Sequence, residues 1–176
     1  SGYEIEGLTK KGYKLISDDI MSKETLEGLI KIPVFYYPEI DSTNTEAKRL
    51  LSSGVKAPFV VIAETQTGGR GRRGRSFISN KWGTYYSLVV ENDDSFNTES
   101  VTTRSCLGTA DAIDSLGFNT KIKWVNDIYL NNKKCVGILT EGVISLEENR
   151  VSEVIIGIGV NYLTKDFPDE LKDICI

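Results

Sequence analysis

Histidine is absent from all 176 residues, which excludes imidazole zinc sites and histidine-dependent catalytic triads. Cysteine is scarce: Cys106, Cys135 and Cys175 are odd in number and widely spaced in apolar stretches. They read as reduced core thiols of a cytoplasmic protein, not as a disulfide framework or a metal cluster. No apolar run approaches the roughly 20 residues that span a bilayer, and the first residues lack a secretion-signal pattern. Excess positive charge is missing too. With 21 Lys+Arg against 25 Asp+Glu the net charge is -4, unlike a domain devoted to nucleic acid.

Against that acidic background stands Gly68-Gly69-Arg70-Gly71-Arg72-Arg73-Gly74-Arg75, which concentrates four guanidinium groups within six residues. Glycine permits close backbone approach, and arginine brings a permanent charge with a forked donor array. The run is too glycine-rich for a stable helix or strand. Ordering it without an anion would be costly, so it reads as a loop that closes over a polyanionic ligand. The competing reading is a solvated RGG-like stretch that binds RNA loosely.

Length and pattern predict one domain with an α+β fold and a mixed, largely antiparallel sheet backed by helices. Residues 1–30 hold too few apolar side chains for a core and read as the tail of an upstream module, with a weak helix start at Ser22-Lys23-Glu24-Thr25. Residues 31–176 form the body. Strands are expected at Val34–Tyr37, Phe59–Ala63, Thr84–Val90, Lys121–Trp124, Asp127–Leu130 and Lys133–Glu141, the last two joined as a hairpin through Asn131-Asn132. A helix follows Asp41-Ser42-Thr43-Asn44, with Thr43 and Glu46 at capping-box spacing. The longest helix runs from Asn97 to Leu116 with Val101, Ala110, Ile113 and Leu116 inward. In the strand Val151–Val160, Gly157 and Gly159 share a face with Ile155 and Asn161. Two glycines on one face mark close approach by a ligand or by another backbone. The terminal run Ile174-Cys175-Ile176 reads as a truncated end.

Four motifs occur in order: Asp41-Ser42-Thr43-Asn44, Gln66 through Arg75, Lys123-Trp124-Val125-Asn126-Asp127, and Lys133-Lys134-Cys135-Val136-Gly137-Ile138-Leu139. Together they resemble the catalytic domain of biotin protein ligases, whose fold is that of class II aminoacyl-tRNA synthetases. The resemblance runs from about Phe35 to Asn161. Gly12-Tyr13-Lys14-Leu15 also resembles the end of the winged helix-turn-helix in ligases that double as biotin-operon repressors. The recognition helix and the small C-terminal β-barrel of such proteins have no counterpart in this sequence.

The resemblance implies activation of biotin by ATP to biotinyl-5'-AMP, then transfer to a lysine of a biotin carboxyl carrier protein. It implies Mg²⁺ accompanying ATP, with no protein metal cluster, and operator DNA as a partner of the region that is missing. Homodimerisation is left open. By resemblance Ser42, Thr43, Asn44 and Gln66 hold biotin's ring, while Arg70, Gly71 and Arg72 cover its carboxylate and the phosphate. Lys134 acts as an electrostatic catalyst beside Arg70 and Arg72. Arg72, Arg75, Phe77, Lys123, Asn126, Gly157 and Asn161 are expected on the nucleotide side, and Gly159 beside them. Trp124 is expected in the core. The chain departs from the family where Phe77-Ile78-Ser79-Asn80 replaces a tryptophan and a Ser-Pro-like pair, keeping an aromatic ring but losing the indole donor. Two other readings stand: a lipoate or octanoate ligase or transferase of the same fold, and a non-catalytic DNA-binding repressor fragment.

Overall fold

The structure is a computed structural model, and it describes residues 3–8, 12–18, 23–92, 97–145, 147, 149–162, 167 and 171. Lys10, Lys11, Ser22, Pro168 and the run Ile174 to Ile176, with Cys175, lie outside these. Tyr3–Leu8 (β1) and Gly12–Asp18 (β2) pair as an antiparallel hairpin apart from the main sheet.

Seven strands make the main sheet: Val34–Ile40 (β3), Phe59–Gln66 (β4), Gly83–Glu91 (β5), Lys121–Lys123 (β6), Asp127–Leu130 (β7), Lys133–Ser145 (β8) and Arg150–Asn161 (β9). Their order is β3-β4-β5-β9-β8-β7-β6. Only β3 and β4 run parallel; the remaining neighbours are antiparallel. This is the mixed, largely antiparallel sheet expected. At the β7–β8 turn Asn131 and Asn132 adopt φ of 51° and 62°, as a two-residue hairpin turn of primed type requires and asparagine tolerates.

Among the described residues three α-helices cover the faces: Lys23–Leu29 (α1), Thr43–Ser52 (α2) and Thr98–Asp114 (α3). Strand alternation decides which residue meets which helix. Ile155 packs with Ala47 of α2 and with Phe59, Val61 and Val89. Val154, Ile156 and Ile158 point the other way, toward Cys106 and Ala110 of α3. Fully burying each such aliphatic or aromatic side chain contributes about 1.5–3 kcal/mol. These two clusters therefore clamp the sheet from both sides and fix the start of α2 over β9. Cys106 and Cys135 are free and buried.

Two local expectations are corrected. The α2 cap is Ser42, whose Oγ accepts from Thr45 N at 3.5 Å; Thr43 turns instead to Gln66, and Glu46 engages Tyr37. Leu116 is 76% exposed, because α3 ends at Asp114 and leaves it out of helical phase.

Candidate active site

The arginine run folds as a paired arm rather than an open coil. Isolated bridges join Gln66 to Ser79 and Arg70 to Ser76. At the tip a 3-10 turn at Arg72–Gly74 closes through Arg75 N donating to Arg72 O at 3.2 Å, and Gly71 N donates to Arg75 O at 2.7 Å. Gly74 takes φ of 75°, where a glycine is needed, while Arg73 holds a left-handed φ of 56°. Below this arm lies a cavity of about 300 Å³, bounded by the start of α2, by β8 and by β9. Arg70, Arg72, Arg73, Arg75 and Lys134 line it, and Asp127 is the one acid among the described lining residues. Five cations around one carboxylate suit an anion.

The closed end of the cavity is polar but neutral. Ser42, Thr43 and Asn44 line it yet are only 3–4% exposed. Gln66 Oε1 accepts from Thr43 N at 2.8 Å and from Thr43 Oγ1 at 3.1 Å, and Gln66 Nε2 donates to Ser79 Oγ at 2.7 Å. Ser87 Oγ sits 2.8 Å from Thr43 Oγ1 and 2.6 Å from Asn44 Oδ1. Asn44 Nδ2 donates to Glu141 Oε2 at 2.7 Å. The side chains of Thr43, Asn44, Gln66 and Ser87 bond to one another, which fixes their directions before any ligand arrives.

The glycines of β8 and β9 make the floor. An added Cβ on Gly157 would strike the Asn44 amide, and one on Gly159 the Phe77 ring; on Gly137 it would lie 2.6 Å from Phe77 Cε2. Phe77 therefore lies flat over two glycines, edge-on to Tyr85 at 6.4 Å. The β9 glycine face is approached closely, as expected, but by the side chains of Asn44 and Phe77 rather than by another backbone.

Lys134 reaches the cavity because of a register shift. Pairing steps from Ile128↔Val136 to Tyr129↔Lys134, which leaves Cys135 as an extra residue. Such a bulge reverses the facing of what precedes it, so Cys135 enters the α3 core while Lys134 joins Gly137 on the cavity side. Lys134 Nζ lies 5.7 Å from the Phe77 ring centroid and 2.7 Å from Asp127 Oδ1, an ion pair without hydrogen-bond alignment. Across the cavity Asn126 Oδ1 accepts from Arg72 Nη1 at 3.3 Å, and Asn126 Nδ2 donates to Ile138 O at 3.2 Å. Burial pushes the Cys106 thiol up to about 11, aided by the Asp127 charge, so it is no nucleophile at neutral pH.

Of the residues anticipated, Ser42, Thr43, Asn44, Gln66, Arg70, Gly71, Arg72, Arg75, Phe77, Asn126, Lys134 and Gly157 meet at this cavity. Gly157 sits under the Asn44 amide, and Gly159, which also lines the cavity, sits under the Phe77 ring. Lys123 is not in the lining; it is exposed on edge strand β6 with its ammonium 5.4 Å from the Tyr129 ring. Nor is Asn161, which is buried, accepts from Tyr85 OH at 2.8 Å and donates to Ile78 O at 3.4 Å. It fastens the chain that follows Phe77. Trp124 is 73% exposed, not core. Ser79, Ser87 and Glu141 were not anticipated. For Ser87 the signal was a polar residue at an inward strand phase, between Tyr85 and Val89.

A mixed, largely antiparallel sheet carries one cation-lined cavity bounded by a helix start, a glycine floor and an arginine arm. The chain belongs to the biotin/lipoate A/B protein ligase family, whose sequence model matches residues 36–161. It is 39% identical to the bifunctional ligase/repressor BirA of Bacillus subtilis over 184 residues, covering 98% of this chain and 56% of that protein. The chain thus spans about half the length of the curated relatives it matches. Biotin protein ligase from Aquifex aeolicus in complex with biotin and ATP superposes with a TM-score of 0.69 at 30% identity, over 82% of this chain and 58% of that one. A bipartite lipoate protein ligase from Thermoplasma acidophilum shares the fold alone, with a TM-score of 0.54 at 13% identity over 79% of this chain and 68% of that one.

Proposed function

We propose that the chain is the catalytic part of a biotin protein ligase, making biotinyl-5'-AMP from biotin and ATP and passing biotin to a carrier lysine. The observation that carries this is the juxtaposition of a rigid, neutral hydrogen-bonding end with five cations in one cavity. A ureido ring suits the first and a carboxylate beside a phosphate the second. In the first step a biotin carboxylate oxygen bonds to the α-phosphorus and the bond to pyrophosphate breaks. Arg70 and Lys134 offset the repulsion between two anions and stabilise charge at the phosphorus, while Arg72, bonded to Asn126, holds the arm over the product. In the second step the neutral amine of the carrier lysine bonds to the acyl carbon and AMP leaves. The arm of residues 67–76 would keep water from the anhydride between the steps.

Gly71 and Gln66 fit the biotin side, and Arg75, Phe77 and Asn126 the nucleotide side. Mg²⁺ would arrive with ATP, neutralising phosphate charge. Among the described residues no group of three or more His, Cys, Asp or Glu could hold a metal ion. Asp127, the lining acid, fits a contact through water, and Mg²⁺ would be held mainly by phosphate. The β1–β2 hairpin fits the wing of a DNA-binding module, so residues 1–30 are read as its remnant and 31–176 as the catalytic unit. A biotin carboxyl carrier domain would be the protein partner and operator DNA a partner of the longer protein. ATP use and reduced thiols suit the cytoplasm.

The test is pyrophosphate exchange into ATP with biotin, lipoate and octanoate supplied separately. Exchange with biotin alone is expected. Exchange only with another acid overturns the reading.

A further inference from the structure

Glu141 does not line the cavity, yet it ties the neutral end to the arginine arm. Its Oε2 accepts from Asn44 Nδ2 at 2.7 Å and from Arg70 Nη2 at 2.9 Å, while Oε1 pairs with Lys48 Nζ at 2.7 Å. Three segments meet on one carboxylate: β8 supplies Glu141, α2 supplies Asn44 and Lys48, and the arm supplies Arg70. Burial raises the affinity of Glu141 for a proton. The bonds from Lys48 and Asn44 and the charges of Arg70 and Lys48 outweigh this and hold the carboxyl below its ordinary value.

An ionised carboxylate only accepts hydrogen bonds, so it dictates which way a facing amide turns. Asn44 must aim Nδ2 at Glu141, where that nitrogen also reaches Leu139 O at 3.4 Å. Oδ1 is then turned to Ser87 and to Gly157, a residue of the cavity floor. The neutral end accordingly offers an acceptor at this position, and a ligand must bring an N–H. Lys48 alone would neutralise Glu141 through the other oxygen, so the contacts to Asn44 and Arg70 serve something more than charge balance.

We propose that Glu141 is a positioning residue for substrate recognition, fixing Asn44 so that Oδ1 receives a ligand N–H and poising Arg70 above it for the ligand's carboxylate. This rests on the biotin reading above, since a ureido ring supplies N–H donors where lipoate and octanoate supply none. Because Glu141 acts through Asn44 and Arg70, its removal affects capture of the acid more than use of ATP.

Glu141→Gln keeps the side-chain size but can donate as well as accept, so it no longer dictates the amide. By calorimetry the variant should bind biotin about tenfold more weakly, the scale of one charge-assisted hydrogen bond, with KM for ATP close to the parent. Discrimination against a biotin analogue carrying methylated ureido nitrogens should shrink in parallel. In Asn44→Ala, adding Glu141→Gln should cost little more, because coupled residues are non-additive. Glu141→Met, which cannot hydrogen-bond, should show the same split between biotin and ATP and guards against a misfolded glutamine variant. Parent-like biotin binding in both variants, or fully additive losses with Asn44→Ala, overturns the role of Glu141 alone. A parent chain that binds no biotin overturns this role together with the biotin reading.

Discussion

The two ends of the cavity differ in how their polar groups are satisfied. Ser42, Thr43 and Asn44 are nearly inaccessible, and each is bonded to protein partners on α2, β4, β5 or β8. Arg72, Arg73 and Arg75 are exposed on a glycine-rich arm, and Arg72 makes a 3.3 Å bond to Asn126. One end is finished before binding; the other carries charge held for a ligand. Preorganised neutral groups give selectivity because a poor ligand leaves them unpaired. Exposed cations give little until water is excluded, when their interaction with an anion strengthens. On the proposed ligase reading, recognition and chemistry are thus divided along the cavity.

Removing the cation at the centre should break the division most severely. Lys134→Ala is expected to slow adenylate formation about a hundredfold, or ~3 kcal/mol, as for one oriented donor to a developing charge. Biotin affinity should change much less, because the neutral end stays intact. Pyrophosphate exchange and calorimetry separate the two, and equal losses in both would place Lys134 in ground-state binding. Next in size is the floor. Gly157→Ala forces a methyl into the Asn44 amide, an overpacking that costs about 1–3 kcal/mol. Biotin affinity should fall by roughly tenfold or more, since 1.4 kcal/mol is tenfold, while ATP use is spared. Unchanged biotin binding would show that Asn44 can yield.

Much of this was legible beforehand, for reasons that differ by element. The seven main strands and the two longer helices followed from alternation and caps, and even the two faces of β9 were readable, because its period-2 pattern is strict from Val154 to Val160. Motif residues on short-range turns, Ser42 through Asn44 and Gln66 through Arg75, also came out together. What stayed hidden depended on long-range register. Lys134 enters the cavity through a bulge that no local pattern announces, and Glu141 matters only because β8 runs beside the start of α2. Lys123 and Asn161 fall outside the cavity lining for structural reasons: a short edge strand turns one outward, and the chain after Phe77 covers the other.

The arm itself offers a subtler break. Arg72 reaches across the cavity to Asn126, so it helps to hold the arm down while Lys134 works from β8. Arg72→Gly should therefore retain adenylate synthesis but release the intermediate, and bystander lysines should be acylated. Biotinylated lysines on an unrelated protein, counted by mass spectrometry, should rise several-fold. Loss of synthesis with no rise would move Arg72 into the chemical step. The same logic predicts slower amide exchange across residues 67–76 when biotin is added, because a bound anion adds to the few internal bonds that hold the arm against a backbone-ordering cost of about 1–2 kcal/mol per residue.

The smallest effect is on acid stability. Glu141 has a folded-state pKa below its ordinary value of 4.5, so the folded protein releases this proton more readily than the unfolded chain. Its stabilising contribution is complete above pH 4.5 and is lost as pH falls through the lowered folded value. Lys48 and Arg70 are the charged side chains that face it. Solvent screening of this partly exposed cluster limits the contribution to about 1 kcal/mol or less. Denaturant melts of the parent and of Glu141→Gln should thus differ slightly at pH 7 and converge below the folded pKa. A gap that persists unchanged at pH 3 would mean that the glutamine acts through packing rather than through the lost charge.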